Sequence, residues 1–206
     1  MKETAKWPPM ADVVFPRSSA LKDEALVAGF AVFTAVCAQI ALYFPPYFAV
    51  PITGQTLAVL LSGALLGARR GALSQLAYLS MGLAGLPVLA PRTPLGIGAL
   101  LGPSGGYLVG FVVAAYVVGV LAERGWDRRR WTMAAAMLMG NGVIHLFGLP
   151  RLAFFLPPEA VWSAGFLPYV PGDALKLALA VGTVPSAWRV LAWFGFPGEK
   201  GLKGWN

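Results

Sequence analysis

Residues 25–68 read ALVAGFAVFTAVCAQIALYFPPYFAVPITGQTLAVLLSGALLGA, 44 consecutive positions without a charged side chain. A bilayer core about 30 Å thick needs roughly 20 apolar residues per helix, so this run is long enough for two spans. Pro45, Pro46 and Pro51 break it in the middle, because proline lacks the N–H that a helix interior requires. The reading is a first helix over about 25–44 and a second over about 54–68, ended by Arg69 and Arg70. Outward from there, Gly71 to Pro91 is again uncharged and predicts a third span over about 71–87. A fourth is expected over about 104–122, a charged turn from Glu123 to Arg130, and a fifth over about 131–149. Residues 150–171 are rich in proline and aromatics and read as a structured outer loop. The sixth span is expected to start after Pro171 and run to about Phe194.

Composition agrees. Of the 206 residues, 57% are apolar and 12% charged, about half the charge of a soluble domain and far too little for a disordered chain. One cysteine, Cys37, excludes an intramolecular disulfide framework, and one histidine, His145, excludes a multi-histidine metal site. No cofactor is implied. The net charge of +7 does not point to nucleic acid, because the cations form no continuous stripe and sit between apolar runs. With a cytoplasmic N-terminus, 13 of the 16 Lys and Arg fall on the inner side. Arg92 and Arg151 fall outside, and Lys176 within the sixth span. That asymmetry places both termini in the cytoplasm. Trp126, Trp131, Trp188 and Trp193 are then expected at the inner interface, and Tyr43, Tyr47, Trp162 and Tyr169 at the outer one. The N-terminus reads as a retained helix rather than a cleaved signal. The fold class is therefore an all-α polytopic membrane protein, a six-transmembrane-helix bundle in the cell membrane. It comprises a cytoplasmic segment 1–24, a membrane domain 25–195 and a cytoplasmic tail 196–206.

Ionisable groups inside spans are costly and face the bundle interior. Asp173 and Lys176 are three apart at the start of the sixth helix and share a face. They read either as a self-neutralising, helix-capping pair or as a polar clamp at the outer end of a cavity. The clamp is preferred, since a purely structural pair is replaceable by apolar residues at little loss. Asn141 and His145, four apart, share a face of the fifth span; interhelical hydrogen bonding and ligand contact both fit. Gln55 and Thr56 open the second span, either as satisfied helix-end groups or as site residues. Gly102-Pro-Ser-Gly-Gly-Tyr107 opens the fourth with free N–H groups, and Gly105 and Gly106 would let a ligand approach the backbone. Ala28, Ala31, Ala35 and Ala38 form a small-residue stripe that suits close helix approach, either internal or to a partner.

Taken in order, Pro51-Ile-Thr-Gly-Gln-Thr56, Gly63-Ala-Leu-Leu-Gly67, Gly85-Leu-Pro-Val88, Gly102-Pro-Ser-Gly-Gly-Tyr107 and Pro171-Gly-Asp-Ala-Leu-Lys176 resemble the BioY family. These are the biotin-specific substrate-binding membrane subunits (S components) of energy-coupling-factor (ECF) transporters. The resemblance implies a biotin pocket opening outward, and partnership with a transmembrane coupling subunit and two ATPase subunits. It implies that Ala28, Ala31 and Ala35 dock on the coupling subunit. His145 stands where the family often has tyrosine. Biotin carries a ureido ring with two N–H donors and a carbonyl, an apolar sulfur ring and a carboxylate tail. Asp173 can accept from the N–H groups, and Lys176 or Asn141 can donate to the carbonyl. Tyr107 can cover the apolar ring, Arg92 can meet the carboxylate, and Gln55 belongs to the same set. Two rivals remain. One is a rhomboid-like intramembrane protease using Ser104 and His145, disfavoured because it leaves Asp173 and Lys176 without a role. The other is a stand-alone secondary vitamin transporter, disfavoured because the paired broken helices and inverted repeats of such proteins are not visible.

Overall fold

The computed structural model describes residues 7–16, 19–42 and 50–196. Six long helices dominate it: α2 (Ala20–Gln39), α3 (Gln55–Leu66), α4 (Ala68–Leu83), α6 (Gly105–Ala122), α7 (Arg130–Leu152) and α9 (Val170–Trp193). Short helices α1 (Met10–Val14), α5 (Gly98–Leu101) and α8 (Pro158–Gly165) and two single 3-10 turns fill the connections. Each expected span has a helix. Three stretches are long and apolar enough to cross a membrane by themselves: α6, α7, and the run from Pro158 through α9. Among the described residues the other three are not. The 12 residues of α3 reach only about 18 Å; α4 carries Arg69 and Arg70 in its first turn; α2 begins on Lys22, Asp23 and Glu24. The outward faces are nonetheless oily, with Leu146 68%, Leu138 61% and Val36 58% exposed, a surface suited to lipid rather than water.

Several boundaries differ from the sequence reading. Helix α2 stops at Gln39 because Ala41–Leu42 (β1) pairs antiparallel with Ile52–Thr53 (β2), in register Ala41 to Thr53. The break at Pro45–Pro46, and Tyr43 and Tyr47, lie outside the described residues. Helix α4 ends at Leu83, closed by Gly85 at φ 88°, a left-handed conformation that glycine adopts without strain. Helix α7 runs through Pro150 to Leu152. A proline in the last turn costs little when the helix ends two residues later, and the extra turn carries Arg151 to the carbonyl of Gly102. The expected outer loop holds α8 and a 3-10 turn, Leu167–Tyr169. Helix α9 begins one residue before Pro171, which occupies the first turn, where its missing N–H is no loss.

Helix α6, apolar all round, sits centrally against α3, α4 and α7, with α2 outside α3 and α4, and α9 outside α7. Backbone proximity makes this possible. A Cβ on Gly63 would lie 2.3 Å from the Ala115 carbonyl oxygen, one on Gly119 2.3 Å from Ala68 N, and one on Gly106 2.2 Å from the Phe147 carbonyl oxygen. Gly105 likewise abuts the Leu100 carbonyl. The expectation that Gly105 and Gly106 admit a ligand is therefore corrected: both positions are filled by the chain's own backbone.

The end of the bundle where α4 begins and α6 ends is tied by charge. Glu123 accepts the Ala68 N–H (2.8 Å), capping α4 from the end of α6. Arg70 bonds Asp12 and Asp23, joining α4 to α1 and α2. Arg128 lies over the rings of Trp7 (4.4 Å) and Trp188 (3.9 Å), and Trp188 Nε1 donates to Asp127 (2.5 Å). Trp188 is thus buried, as is Tyr169, so both rings pack within the bundle rather than on its surface. Trp131, Trp193 and Trp162 are exposed.

Two expectations follow from this packing. Gly63→Ala should lower the thermal midpoint in detergent, at a cost of about 1–3 kcal/mol from overpacking against backbone. Gly29→Ala, whose Cβ would meet nothing within 4 Å, should leave the midpoint equal or higher. Burial pushes the Asp127 carboxyl up to about 6 from 3.8. Its folded value exceeds its unfolded one, so the cost is full above about pH 6 and fades toward pH 4; it is on the order of 3 kcal/mol at neutral pH. Asp127→Asn keeps an acceptor for Trp188, so thermal midpoints measured across that range should lose this component of their slope.

Candidate functional site

At the opposite end from these ion pairs, the start of α3, the loop 84–97, the start of α6, the end of α7 and the start of α9 surround a cavity. The local sequence explains each contribution. The β1–β2 pairing delivers Thr53 and Gln55 to the wall. Gly106 and Gly110 let α6 lie against α7, which brings Tyr107 against His145. Proline at the first turn of α9 starts that helix in time to place Asp173 and Lys176 on its inner face. The free space within it is about 50 Å³. Gln39, at the end of α2, donates to the carbonyls of Leu89 (3.2 Å) and Val88 (3.5 Å) and holds the loop wall in place.

The polar centre is a connected set. Lys176 Nζ donates to Asp173 Oδ1 (3.1 Å) and to Thr56 Oγ1 (2.7 Å). Asn141 Nδ2 donates to Asp173 Oδ2 (2.8 Å). The two charged side chains are only 15% and 12% exposed. Lys176 has three N–H donors and two are used, while a carboxylate offers about four acceptor sites, of which two are filled. One donor and two acceptor positions therefore remain for a ligand. Asp173 and Lys176 also border a second cavity of about 280 Å³ between α3, α7 and α9, so the pair forms a partition between two spaces.

The expected site residues fare differently. Asp173, Lys176, Tyr107 and Gln55 line the first cavity together. Tyr107 is pinned by its hydroxyl to the Gly165 carbonyl (2.9 Å), which leaves its ring face as wall. The Gln55 amide is engaged on both sides, with Tyr78 OH (2.6 Å) and Thr53 Oγ1 (2.8 Å). Asn141 lines the second cavity instead and spends its amide N–H on Asp173. It orients the carboxylate rather than reaching the first cavity. Arg92 is exposed and not in the wall, to which its neighbours Ala90 and Thr93 belong. Ser104 and His145 both line the cavity, but no hydrogen bond joins them, and His145 Nδ1 bonds the Asn141 carbonyl (3.0 Å) rather than a carboxylate. The stripe on α2 splits: Ala28 is exposed, Ala35 half-buried and Ala31 buried in the chain's own core.

Sequence reasoning weighed Thr56 without its partner and missed two further contributors. Thr56 holds Lys176 across 120 positions, which no local pattern announces. Tyr169 turns inward, its hydroxyl on the Val50 carbonyl. Phe166 meets His145 edge to face at 5.0 Å. The aromatic richness of 150–171 was the available signal for the last two.

Known proteins share both the sequence pattern and the architecture. The sequence model of the BioY family matches residues 8–193. The biotin transporter BioY of Rhodobacter capsulatus is 38% identical, over 68% of this chain and 82% of its own length. The probable biotin transporter BioY of Pyrococcus horikoshii is also 38% identical, over 78% of this chain and 92% of its own. A crystal structure of the S-component for biotin from an ECF-type ABC transporter superposes with a TM-score of 0.71 at 24% identity, covering 84% of this chain and 95% of that one; this likeness speaks to fold. With a family match spanning nearly the whole membrane domain and the same helical architecture, the chain belongs to the BioY family.

Proposed function

We propose that this protein is the biotin-binding membrane subunit, the S component, of an ECF-type vitamin importer in the cell membrane. The observation that carries the reading is the Asp173–Lys176 pair, bridged to Asn141 and Thr56 in the wall of an aromatic-lined cavity. A cyclic urea presents N–H donors and a carbonyl acceptor. Asp173 has acceptor positions left for the first, and Lys176 one N–H left for the second. The apolar ring suits the Tyr107 and Phe111 faces. The names of the relatives, biotin transporters, support the same ligand. The role is capture and transport; Ser104 and His145 lack the mutual contact that a nucleophile and its base need.

The reading includes six spans with both termini inside. Arg69, Arg70, Arg124 and Arg128 to Arg130 lie at the end of the bundle away from the cavity, and Arg92 and Arg151 at the cavity end, which supports that orientation. The pocket then opens outward. The partners in this reading are a coupling subunit and two ATPase subunits. Their docking is proposed on the outer face of α2 around Ala28, because Ala31 is turned inward.

Two experiments test these points. Isothermal titration of the purified protein should show tight biotin binding without nucleotide. Asp173→Asn should weaken it more than a hundredfold, since removing one charge of a desolvated pair strands the other at roughly 3–5 kcal/mol. A folded variant binding within about threefold of wild type would return the pair to a structural role. Ala28→Trp should abolish co-purification with the coupling subunit while biotin binding persists. Ala31→Trp should instead lower the thermal midpoint, because its side chain has no room inside. Retention of the full complex by Ala28→Trp would move docking off this face.

A further inference from the structure

A ligand with two N–H donors needs two acceptors. Asp173 supplies one wall; the opposite requirement is met by a residue that the pair does not involve. His145 is buried at 7% exposure yet lines the cavity. Three aromatic rings hold it edge to face: Tyr107 at 5.9 Å, Phe166 at 5.0 Å and Tyr169 at 6.2 Å. Its Nδ1 lies 3.0 Å from the Asn141 carbonyl oxygen. A carbonyl only accepts, so Nδ1 carries the hydrogen, and the neutral ring then bears a lone pair at Nε2. Nε2 has no hydrogen-bond partner and is not among the buried polar atoms shut away from open space. Ser104 and Thr93 also bring hydroxyls to the cavity, but three other polar side chains there are already engaged. The hydroxyls of Tyr107 and Tyr169 are turned onto the carbonyls of Gly165 and Val50, and Gln55 is bonded to Thr53 and Tyr78.

We infer that His145 is a ligand-contacting, specificity-determining residue: with Nδ1 donating to its own helix, Nε2 is the ring nitrogen left to accept the second N–H of a cyclic urea. This rests on the proposed biotin reading. The charged groups sharing the cavity are Asp173 and Lys176, both from α9. They are bonded to each other, so Nε2 stands beside a paired lysine and carboxylate. A ligand with an acceptor in place of that N–H would meet Nε2 lone pair to lone pair, so the histidine discriminates as well as binds.

The chain has a single histidine, so one isotope label reads it. The full-length protein, 15N-labelled at histidine in detergent at about pH 8, should show a protonated Nδ1 and a pyridine-like Nε2. The Nε2 resonance should move upfield on biotin saturation, as a lone pair does when it accepts a hydrogen bond. His145→Phe keeps the ring contacts and removes the acceptor, and should bind biotin about tenfold more weakly, while His145→Gln, which restores an acceptor oxygen, should recover to within about threefold. An Nε2–H tautomer, an unmoved Nε2 signal in a biotin-saturated sample, or a folded His145→Phe variant with wild-type affinity would each overturn the inference and leave the biotin reading standing. Titration of the same sample showing no biotin uptake would overturn both.

Discussion

A lysine and a carboxylate near the end of an apolar helix survive inside a bundle only if each finds partners that replace water. Here Asp173 and Lys176 do so by reaching α7 through Asn141 and α3 through Thr56. The consequence is architectural. Helix α9 packs mainly against α7 and only lightly against α3, so these polar bonds help set its position at the outer end. Because two hydrogen-bonding positions of the carboxylate and one of the ammonium stay open, the interaction that seats α9 also leaves chemistry for a ligand. An unpaired buried charge would be far more costly than the pair is, which ties the site to the presence of both residues.

The rest of the bundle depends on removing side chains rather than adding them. Gly63, Gly106, Gly110 and Gly119 let α3, α4 and α7 approach α6 until backbone meets backbone. In a membrane no hydrophobic force drives helices together, so close van der Waals contact must do it. Polar residues in the same interior bond locally: the hydroxyls of Thr34, Ser62 and Ser74 each donate to a carbonyl of their own helix and share the two amide hydrogens of Gln75, the residue that joins α2, α3 and α4. The end away from the cavity uses charge instead, with Glu123 capping α4 and Arg70 binding Asp12 and Asp23. Water and headgroups there make ionic groups tolerable, and the cavity end is left freer of them.

Local sequence determined the helix inventory, because charge-free runs of about 20 residues have few alternatives to a helix in lipid. It also determined that Asp173 and Lys176 share a face and that Asp173 lies in a first turn, since both depend only on spacing and on Pro171. What the tertiary structure alone decided were the partners. Asn141 turned to Asp173 and not to the cavity, Gln55 to Tyr78, Thr56 to Lys176, and Ala31 to the core, while Arg92 stayed outside. Each of these depends on the rotation of one helix about its axis relative to another distant in sequence. That rotation is set where glycines let backbones touch, and no periodicity within a single apolar helix records it, because a helix oily on all sides has no face that its own residues single out.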